Sequence, residues 1–306
     1  MKRVAAIDVG TNSVKLLIAE AANGGARFLR DEARVTRMGE RLHETGALQP
    51  DAIARTARAV ADFARMAREE DAETIACVGT MALREARNAG AFIEAVRAAC
   101  GLECRVLPGE EEARLCFAAA CGALAREDGE TIVMDSGGGS TEFASGCSGL
   151  PRRRTSVPVG AVNLTERFFG GETTAECVRA AREEISVRIR ESGFAPERDA
   201  EIIATGGTAT TMAAVAHAIV PYDPEKIRGA AITRDEAERQ VSLYASLTIL
   251  QRAQIPGMHK GREDVMLAGA CIVAETMRFF GAQRLHVADC GLRHALAREM
   301  LRKREK

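Results

Sequence analysis

The sequence predicts an α/β protein built from two similar halves, each a mixed sheet flanked by helices. The first observation is a motif that occurs twice, at 4–13 and at 131–141: an apolar run followed by Asp-x-Gly and small polar residues. The second is that short apolar runs alternate with segments of helical periodicity along the chain. The third is that the order of segments after the first motif is repeated after the second. A duplicated α/β architecture accounts for all three.

The N-terminal half begins with strands. The apolar run before the first Asp-x-Gly predicts a buried strand at 3–9, and the stretch 14–19 predicts its hairpin partner. Asn23-Gly24-Gly25 is typical of a tight turn, so a third strand is expected at 26–38. Pro50 suits a first helical position, and apolar residues follow at helical spacing. The remaining elements are predicted as a strand at 74–79, a helix through Phe92 and Val96, a strand at 104–107 and a helix from Glu110 to about 126.

The C-terminal half repeats this order. Its predicted elements are strands at 131–135, 141–144, 201–204 and 285–288, and helices at 173–192, 209–218, 233–250, 263–280 and from 292. The basic run Arg152-Arg153-Arg154 favours a solvated turn over a binding site. The polar, glycine-containing segment 125–130 is typical of a domain boundary. We therefore expect domains at 1–126 and 127–291, with the amphipathic helix 292–306 packed back onto the first.

Composition and charge exclude several classes of protein. Apolar residues make up 46% and charged residues 28%, and a net charge of −1 gives no bulk attraction to nucleic acid. No apolar run reaches the roughly 20 residues of a membrane helix. Nine cysteines are scattered without a Cys-x-x-Cys pair, and Lys2-Arg3 leads into a strand rather than a secretory signal. We expect a cytoplasmic protein with reduced thiols, and neither nucleic acid nor membrane as partner.

The Asp-x-Gly turns are candidates for phosphate binding. Glycine lets backbone N–H groups approach a ligand and adopt positive φ, such groups bind phosphate oxygens, and a nearby Asp can hold the accompanying metal. The run Gly137-Gly138-Gly139 packs no side chains, which favours close approach to a ligand. By itself, Asp8-Val9-Gly10-Thr11 is also compatible with an ordinary hairpin. Thr205-Gly206-Gly207-Thr208 is compatible with a plain strand-to-helix turn, although a helix N-terminus there would favour an anion.

Charged residues between the two turns leave two interpretations open. Glu110-Glu111-Glu112 fits the first turn of a helix, where the helix dipole favours acidic side chains. In a phosphate cleft, a carboxylate could instead take a proton from attacking water. Arg84 follows a predicted strand, where its guanidinium could grip phosphate bidentately, but a surface arginine at a helix start fits equally well. The five histidines show no spacing typical of a metal site or a catalytic triad.

Taken together, these residues resemble the exopolyphosphatase / guanosine pentaphosphate phosphohydrolase (Ppx/GppA) family of the actin–sugar kinase–Hsp70 superfamily, in a short two-domain form. The resemblance covers essentially the whole chain. Its specific part is the Glu-Glu-Ala-Arg element at 111–114, because sugar kinases, actins and Hsp70 proteins share the loops but lack that element. The matching segments are 6–14, 37–42, 45–48, 79–86, 109–115, 135–142, 204–208, 255–258, 262–264 and 289–293.

The resemblance implies two ribonuclease H-like domains, as in actin-like ATPases, with the active site in the cleft between them. It implies release of terminal phosphate from inorganic polyphosphate or guanosine pentaphosphate. Glu112 matches the family's water-activating glutamate and Arg84 its phosphate-contacting arginine. Asp135 and Glu142 match positions near Mg²⁺ (or Mn²⁺); a homodimer is implied, and no organic cofactor. The expected phosphate-binding residues are Asp8, Gly10, Thr11, Asn12, Ser13, Gly137, Gly138, Gly139, Ser140, Thr141, Gly206, Gly207 and Thr208.

Two other functions would use the same loops. A phosphotransferase, either a kinase or an enzyme that moves phosphate from polyphosphate to a nucleotide, needs the same phosphate cradle. A regulator that binds guanosine tetraphosphate or pentaphosphate with little turnover would also keep it. Glu112 favours hydrolysis over transfer. The joint presence of Glu112, Arg84 and Asp135 argues against a pure sensor, which need not retain all three.

Overall fold

The computed structural model describes residues 2–22, 25–125, 129–195 and 200–302. The chain divides into two parts, here called unit 1 (Met1–Leu115 with Leu292–Lys306) and unit 2 (Cys116–Gly291). The turn residues Asn23 and Gly24, and the boundary expected between 126 and 127, lie outside the described residues. None of the described helices is long and apolar enough to cross a lipid bilayer.

Unit 1 is built on a five-stranded mixed sheet. Its strands are β1 (Arg3–Val9), β2 (Ser13–Ala22), β3 (Gly25–Val35), β4 (Thr74–Gly79) and β5 (Cys104–Val106). They lie in the order β3-β2-β1-β4-β5, with the first three antiparallel and the last two parallel to β1. The central strand β1 is buried along almost its whole length, which explains why its apolar run does not alternate with polar residues.

Helices cover the sheet of unit 1. They are α1 (Leu42–Thr45), α2 (Pro50–Glu69), α3 (Met81–Glu85), α4 (Ala89–Cys100) and the first half of α5 (Gly109–Ala123), whose residues from Cys116 onward belong to unit 2. The longest, α2, begins at Pro50, where the missing N–H leaves no intrahelical bond unmade. It packs against β1, β2 and α4 and buries Val60, Phe63 and Ala64. These are the positions that the helical spacing predicted, so burial of this stripe is what anchors α2.

Unit 2 repeats the arrangement with one strand more. Its strands are β6 (Thr131–Ser136), β7 (Thr141–Cys147), β8 (Leu150–Val157), β9 (Glu201–Thr205), β10 (Ala231–Thr233) and β11 (Arg284–Val287). The order is β10-β11-β9-β6-β7-β8, so β6 has an antiparallel hairpin on one side and the parallel β9 on the other, as β1 does in unit 1. The predicted α/β architecture with two mixed sheets is confirmed.

The helices of unit 2 surround one nearly inaccessible helix. They are α6 (Ala161–Phe168), α7 (Ala175–Glu191), α8 (Gly206–Ala216), α9 (Pro224–Ile227), α10 (Arg234–Ser246), α11 (Ile249–Arg252) and α12 (Met266–Phe279). Every residue of α12 from Met266 to Met277 is buried, because α6, α7, α8 and α10 all pack on it. The one acid in that stretch, Glu275, accepts a hydrogen bond from Arg182 Nε at 2.6 Å. A buried carboxylate is tolerated only with such a partner.

Several elements of unit 2 differ from expectation. The run Arg152-Arg153-Arg154, predicted as a solvated turn, lies within the edge strand β8 with its side chains exposed. Charged side chains on an edge strand hinder pairing with another chain, which makes the run compatible with a strand. Helix α6 and strand β10 were not predicted, because each is too short to show a clear period. Helix α8 begins at Gly206 rather than 209.

The C-terminal helix α13 (Leu292–Arg302) packs against β1, β2 and β3 of unit 1. Arg293 donates from Nε and Nη2 to the two carboxylate oxygens of Asp31, each at 2.8 Å. The buried His294 places Nε2 3.2 Å from Asp31 Oδ2 and stands edge-on to the Phe28 ring. Burial, reinforced by the charge of Arg293, lowers the pKa of His294 to about 4, whereas Arg293 helps to hold the pKa of Asp31 below its usual range.

His294 should make the protein less stable in mild acid. Between pH 6.5 and 4 the unfolded chain protonates this histidine and the native state does not, so stability falls as pH falls. The full lowering of the His294 pKa corresponds to about 3 kcal/mol in the free energy of unfolding. We expect the free energy of unfolding, measured by urea titration at pH 7, 5.5 and 4.5, to decline less steeply in His294→Gln than in wild type. His43→Gln, at an exposed histidine, serves as the control. The same decline of unfolding free energy with pH in all three proteins would contradict the lowered pKa of His294.

Candidate active site

The first Asp-x-Gly turn connects β1 to β2, and Gly10 N–H donates to Ser13 O across it at 3.0 Å. The carbonyl of Asn12 accepts the N–H of Thr36 at 2.9 Å, so the segment after β3 holds the turn in place. Within the described residues, the buried Nδ2 of Asn12 has no hydrogen-bond acceptor. An unsatisfied buried donor is costly. An anionic oxygen bound at this turn would satisfy it.

The second turn connects β6 to β7 with the same geometry. Gly137 N–H donates to Ser140 O at 2.9 Å, the counterpart of the bond from Gly10 to Ser13. A Cβ added at Gly10 or Gly137 would lie 3.1 Å from the carbonyl oxygen of Ser13 or Ser140, respectively. The two copies of the motif therefore share a backbone conformation as well as a sequence pattern.

The carbonyls of the second turn are bound by the start of α6. Ala161 N–H donates to Gly137 O at 3.0 Å, and Val162 N–H donates to Gly138 O at 2.7 Å. Outside the helices and strands of the described chain, no backbone hydrogen bond uses the N–H of Gly138 or Gly139 as donor. These two amides are therefore available to an anion, and phosphate binding at this loop stays a prediction.

Positive φ does not explain the glycines of the two Asp-x-Gly turns, and a further glycine, Gly160, packs on the second of them. The positive-φ residues of the described chain do not include Gly10 or the run 137–139, so that expectation was wrong. Instead, a Cβ on Gly160 would lie 2.3 Å from the backbone of Gly139. The loop therefore packs backbone against backbone, which only glycine permits.

The residue two positions before each turn is an aspartate, but its cross-strand partner differs between the units. Asp8 stands opposite Lys15, with Nζ 3.6 Å from Oδ2. Asp135 stands opposite Glu142. Two carboxylates in directly opposite positions repel each other unless donors or a cation compensate. The pair in unit 2 is therefore the better candidate for binding a metal cation. The pair in unit 1 already has a positive charge, the ammonium of Lys15.

Asp135 lies in a tightly bounded position. Cys116 Sγ donates to its Oδ2 at 2.9 Å. A Cβ on Gly206 would lie 2.5 Å from its Oδ1, and one on Gly291 would lie 4.0 Å from its Oδ2. Glycine at 206, with a φ of 88°, lets the backbone pack closely against the carboxylate, where a side chain would clash with Oδ1. The sequence identified Asp135 but gave no indication of Cys116.

Glu142 is the second candidate ligand and is 2% exposed. Its Oε1 accepts hydrogen bonds from Ser140 Oγ and Ser156 Oγ, each at 2.7 Å. No group of three His, Cys, Asp or Glu side chains in the described residues has the arrangement of a metal site. Mg²⁺ is commonly held by one or two carboxylates together with phosphate and water oxygens. Asp135 and Glu142 supply hard oxygen donors from directly opposite residues, and so fit that mode.

Thr205-Gly206-Gly207-Thr208 is the start of α8 rather than a separate turn. Thr205 Oγ1 does not cap the helix, because it donates to Cys290 O at 2.9 Å. The guanidinium of Arg262 lies against the next glycine, where a Cβ on Gly207 would be 2.0 Å from Cζ. A helix N-terminus beside an arginine attracts anions. Arg262 was not among the predicted site residues; its only signal was the charged run 262–264 within a glycine-containing loop.

Three hydroxyls expected at the phosphate are committed to the protein or enclosed by it. Thr141 Oγ1 donates to Val159 O at 2.7 Å, and Ser140 Oγ donates to Glu142. Thr208 is 1% exposed, and its methyl group would lie 2.6 Å from a Cβ on Gly269. Backbone N–H groups, rather than these hydroxyl protons, are thus the donors that unit 2 offers to an anion.

In unit 1, Arg84 and Glu112 form an ion pair. Arg84 Nη1, from α3, donates to Glu112 Oε2 at 2.7 Å and to Leu107 O at 3.0 Å. Glu112 is buried in the first turn of α5, whereas Glu110 is exposed and Glu111 pairs with Arg105. The helix-dipole interpretation therefore suits the first two glutamates. Glu112 is the buried glutamate of the run and is paired with the half-buried guanidinium of Arg84, as a positioned base would be.

Gly206→Ala should weaken the site and the fold together. A residue with a Cβ at a φ of 88° costs about 1–2 kcal/mol, and the added atom would lie 2.5 Å from Asp135 Oδ1. Gly229→Ala is the matched control, with a φ of 78° and its nearest neighbour 3.9 Å away. We expect thermal unfolding to show a loss of stability in both variants, and calorimetry to show weaker Mn²⁺ binding only in Gly206→Ala. Equal Mn²⁺ affinities would contradict the role of Gly206.

Several known proteins resemble this chain over most of its length. The model of the Ppx/GppA phosphatase family matches residues 17–304. The Mycobacterium tuberculosis protein named Exopolyphosphatase 2 is 35% identical over 290 residues, which cover 91% of each chain. The crystal structure of the Aquifex aeolicus Ppx/GppA family member superposes with a TM-score of 0.83 at 33% identity, over 100% of this chain and 99% of that one. A solved exopolyphosphatase-like protein gives a TM-score of 0.94 at 26% identity, with coverage of 100% and 99%.

Proposed function

Because the chain belongs to the Ppx/GppA phosphatase family, we propose that it is an exopolyphosphatase, which hydrolyses the terminal phosphoanhydride bond of inorganic polyphosphate. The observation that carries the proposal is the buried Glu112, held 2.7 Å from the Arg84 guanidinium. A positioned carboxylate is what hydrolysis needs and what a binding protein does not. The Mycobacterium tuberculosis exopolyphosphatase at 35% identity supports polyphosphate as the substrate.

Glu112 acts as the general base in this proposal. It orients a water molecule toward the terminal phosphorus and takes its proton as the new P–O bond forms. The bridging oxygen of the departing chain keeps the electron pair of the broken P–O bond. Arg84 binds a terminal phosphate oxygen through its guanidinium and stabilises the charge that develops there. Its bond to Leu107 O fixes the side chain for this contact.

The loops and the acidic pair of unit 2 bind the phosphate in this proposal. The amides of Gly138 and Gly139 and the N-terminus of α8 donate to phosphate oxygens. Asp135 and Glu142 would hold a divalent cation, Mg²⁺ or Mn²⁺, which would supply positive charge to neutralise those oxygens. In unit 1, Asn12 Nδ2, the buried donor without an acceptor in the described chain, would bind an anionic oxygen at the first turn.

Phosphate release measured on defined substrates tests the function. Wild-type protein with Mg²⁺ is given polyphosphate or guanosine pentaphosphate, with and without ADP. We expect orthophosphate release from polyphosphate, with a higher kcat/KM than for guanosine pentaphosphate and no dependence on ADP. Formation of ATP only when ADP is present would instead identify a phosphotransferase. Tight binding of guanosine pentaphosphate without phosphate release would identify a regulator.

We also propose that the protein is a cytoplasmic homodimer. The nine cysteines are free thiols, which fits a reducing compartment, and the dimer rests on the family resemblance. Light scattering after gel filtration measures the mass directly. A species of about twice the 32.7 kDa chain mass is the expected result, and a monomer across the micromolar range would overturn the dimer.

A further inference from the structure

A thiol contacts the carboxylate that the proposed function assigns to the cation. Cys116 Sγ donates to Asp135 Oδ2 at 2.9 Å. Cys116 lies on α5 and is 1% exposed, so its thiol is shielded from solvent. A buried cysteine usually behaves as a small apolar side chain. Here its one proton is directed at a carboxylate, which calls for a different explanation.

The position of the thiol decides how the Asp135 carboxylate can turn. The terminal torsion of an aspartate is broad, so a carboxylate without donors rotates freely. At Asp135, the backbone of Gly206 packs closely beside Oδ1, because a Cβ there would lie only 2.5 Å away. Cys116 occupies the other side and binds Oδ2. One oxygen is thus held by a side-chain donor, and the other is packed against the backbone of the glycine.

A donor to a metal-binding carboxylate has a measurable effect. Hydrogen bonds to ionised acceptors are stronger than those between neutral groups, and losing a partner that orients a metal ligand typically costs about 10–100-fold in metal affinity or activity. The thiol is a weak donor, which places the expected effect toward the lower end of that range. The cysteine itself is 1% exposed, so little water reaches the donor side of the bond.

We propose that Cys116 is a positioning residue, whose thiol holds the Asp135 carboxylate in the orientation that binds the divalent cation. This inference rests on the proposed function, since it takes Asp135 as a cation ligand. It assigns Cys116 no contact with the substrate or the cation. The cysteine acts only through Asp135, so its loss should appear first in metal affinity and only secondarily in turnover.

Cys116→Val and Cys116→Thr form a matched pair for the test. Both side chains are β-branched and similar in volume, so they disturb α5 and the core equally, but only threonine can donate a hydrogen bond. Mn²⁺ binding is measured by isothermal calorimetry without substrate. We expect the Kd for Mn²⁺ to rise about tenfold in Cys116→Val and to stay within about threefold of wild type in Cys116→Thr. Cys271→Val, the same change at another buried thiol of unit 2, should bind Mn²⁺ like wild type.

Kinetics and spectroscopy complete the test. In Cys116→Val the Mn²⁺ concentration for half-maximal phosphate release should rise, with kcat at saturating Mn²⁺ close to wild type. Equal Mn²⁺ affinities in the valine and threonine variants would overturn the positioning role. A thiolate-to-cobalt absorption band in wild-type protein loaded with Co²⁺, absent from Cys116→Thr, would also overturn it, because the cysteine would then be a ligand. Wild-type protein without metal-dependent phosphate release would refute the proposed function itself, whatever the binding data show.

Discussion

Glu112→Gln is expected to lower kcat for phosphate release from polyphosphate by about 10²–10⁴-fold, with little change in KM. Glutamine preserves the shape of the side chain but cannot accept the proton of the attacking water. Substrate binding should persist, because Arg84 and the loop amides are unchanged. The measurement is steady-state orthophosphate release with saturating Mg²⁺, for wild type and variant side by side.

The neighbouring glutamate provides the control for that result. Glu111 lies in the same turn of α5, pairs with Arg105 near the surface, and loses the same charge in Glu111→Gln. We expect this variant to retain nearly wild-type kcat. Because Glu112→Gln leaves the Arg84 guanidinium without its carboxylate, thermal unfolding must show that the variant is folded. A folded Glu112→Gln protein with normal turnover would rule out Glu112 as the base.

Asp135→Asn should be the second most damaging substitution, with a loss of about 10²–10³-fold in kcat/KM. Charge stabilisation by a catalytic cation is worth several kcal/mol in the transition state, and each 1.4 kcal/mol is about tenfold in rate. Asparagine removes one of the two opposed carboxylates and directs an amide at the cation or at Cys116. Calorimetric titration with Mn²⁺ should show affinity falling in parallel with activity.

Asp8→Asn makes the same chemical change at the equivalent position of unit 1, where the cross-strand partner is Lys15. We expect this variant to lose activity on polyphosphate but to keep its Mn²⁺ affinity. The contrast follows from the registers, in which Asp8 faces a lysine and Asp135 faces Glu142. If Asp8→Asn weakened Mn²⁺ binding as much as Asp135→Asn, the assignment of the cation to unit 2 would be wrong.

Most of the fold could be predicted from local patterns. The buried strands and long amphipathic helices are recognisable from the periodicity of their apolar residues. The repeated Asp-x-Gly turns also have the same hydrogen bond, from Gly10 to Ser13 and from Gly137 to Ser140. Short elements such as α6 were not predicted, because a few residues are too short a segment to show a clear hydrophobic period. The arginine run of β8 was predicted as a turn instead of a strand, because a charged edge strand and a solvated turn have similar composition.

For the candidate site, too, some features follow from the local sequence and others only from the tertiary structure. The sequence alone determined the duplicated loops, the aspartate before each, and a short list of carboxylates and hydroxyls. These depend on neighbours within a few positions, where glycine and strand preferences act. The tertiary structure decided that Glu112 is the buried glutamate of its run, that Thr141 donates to Val159, and that Cys116 holds Asp135. Burial and hydrogen-bond partners come from residues distant in the chain, so no local pattern carries them.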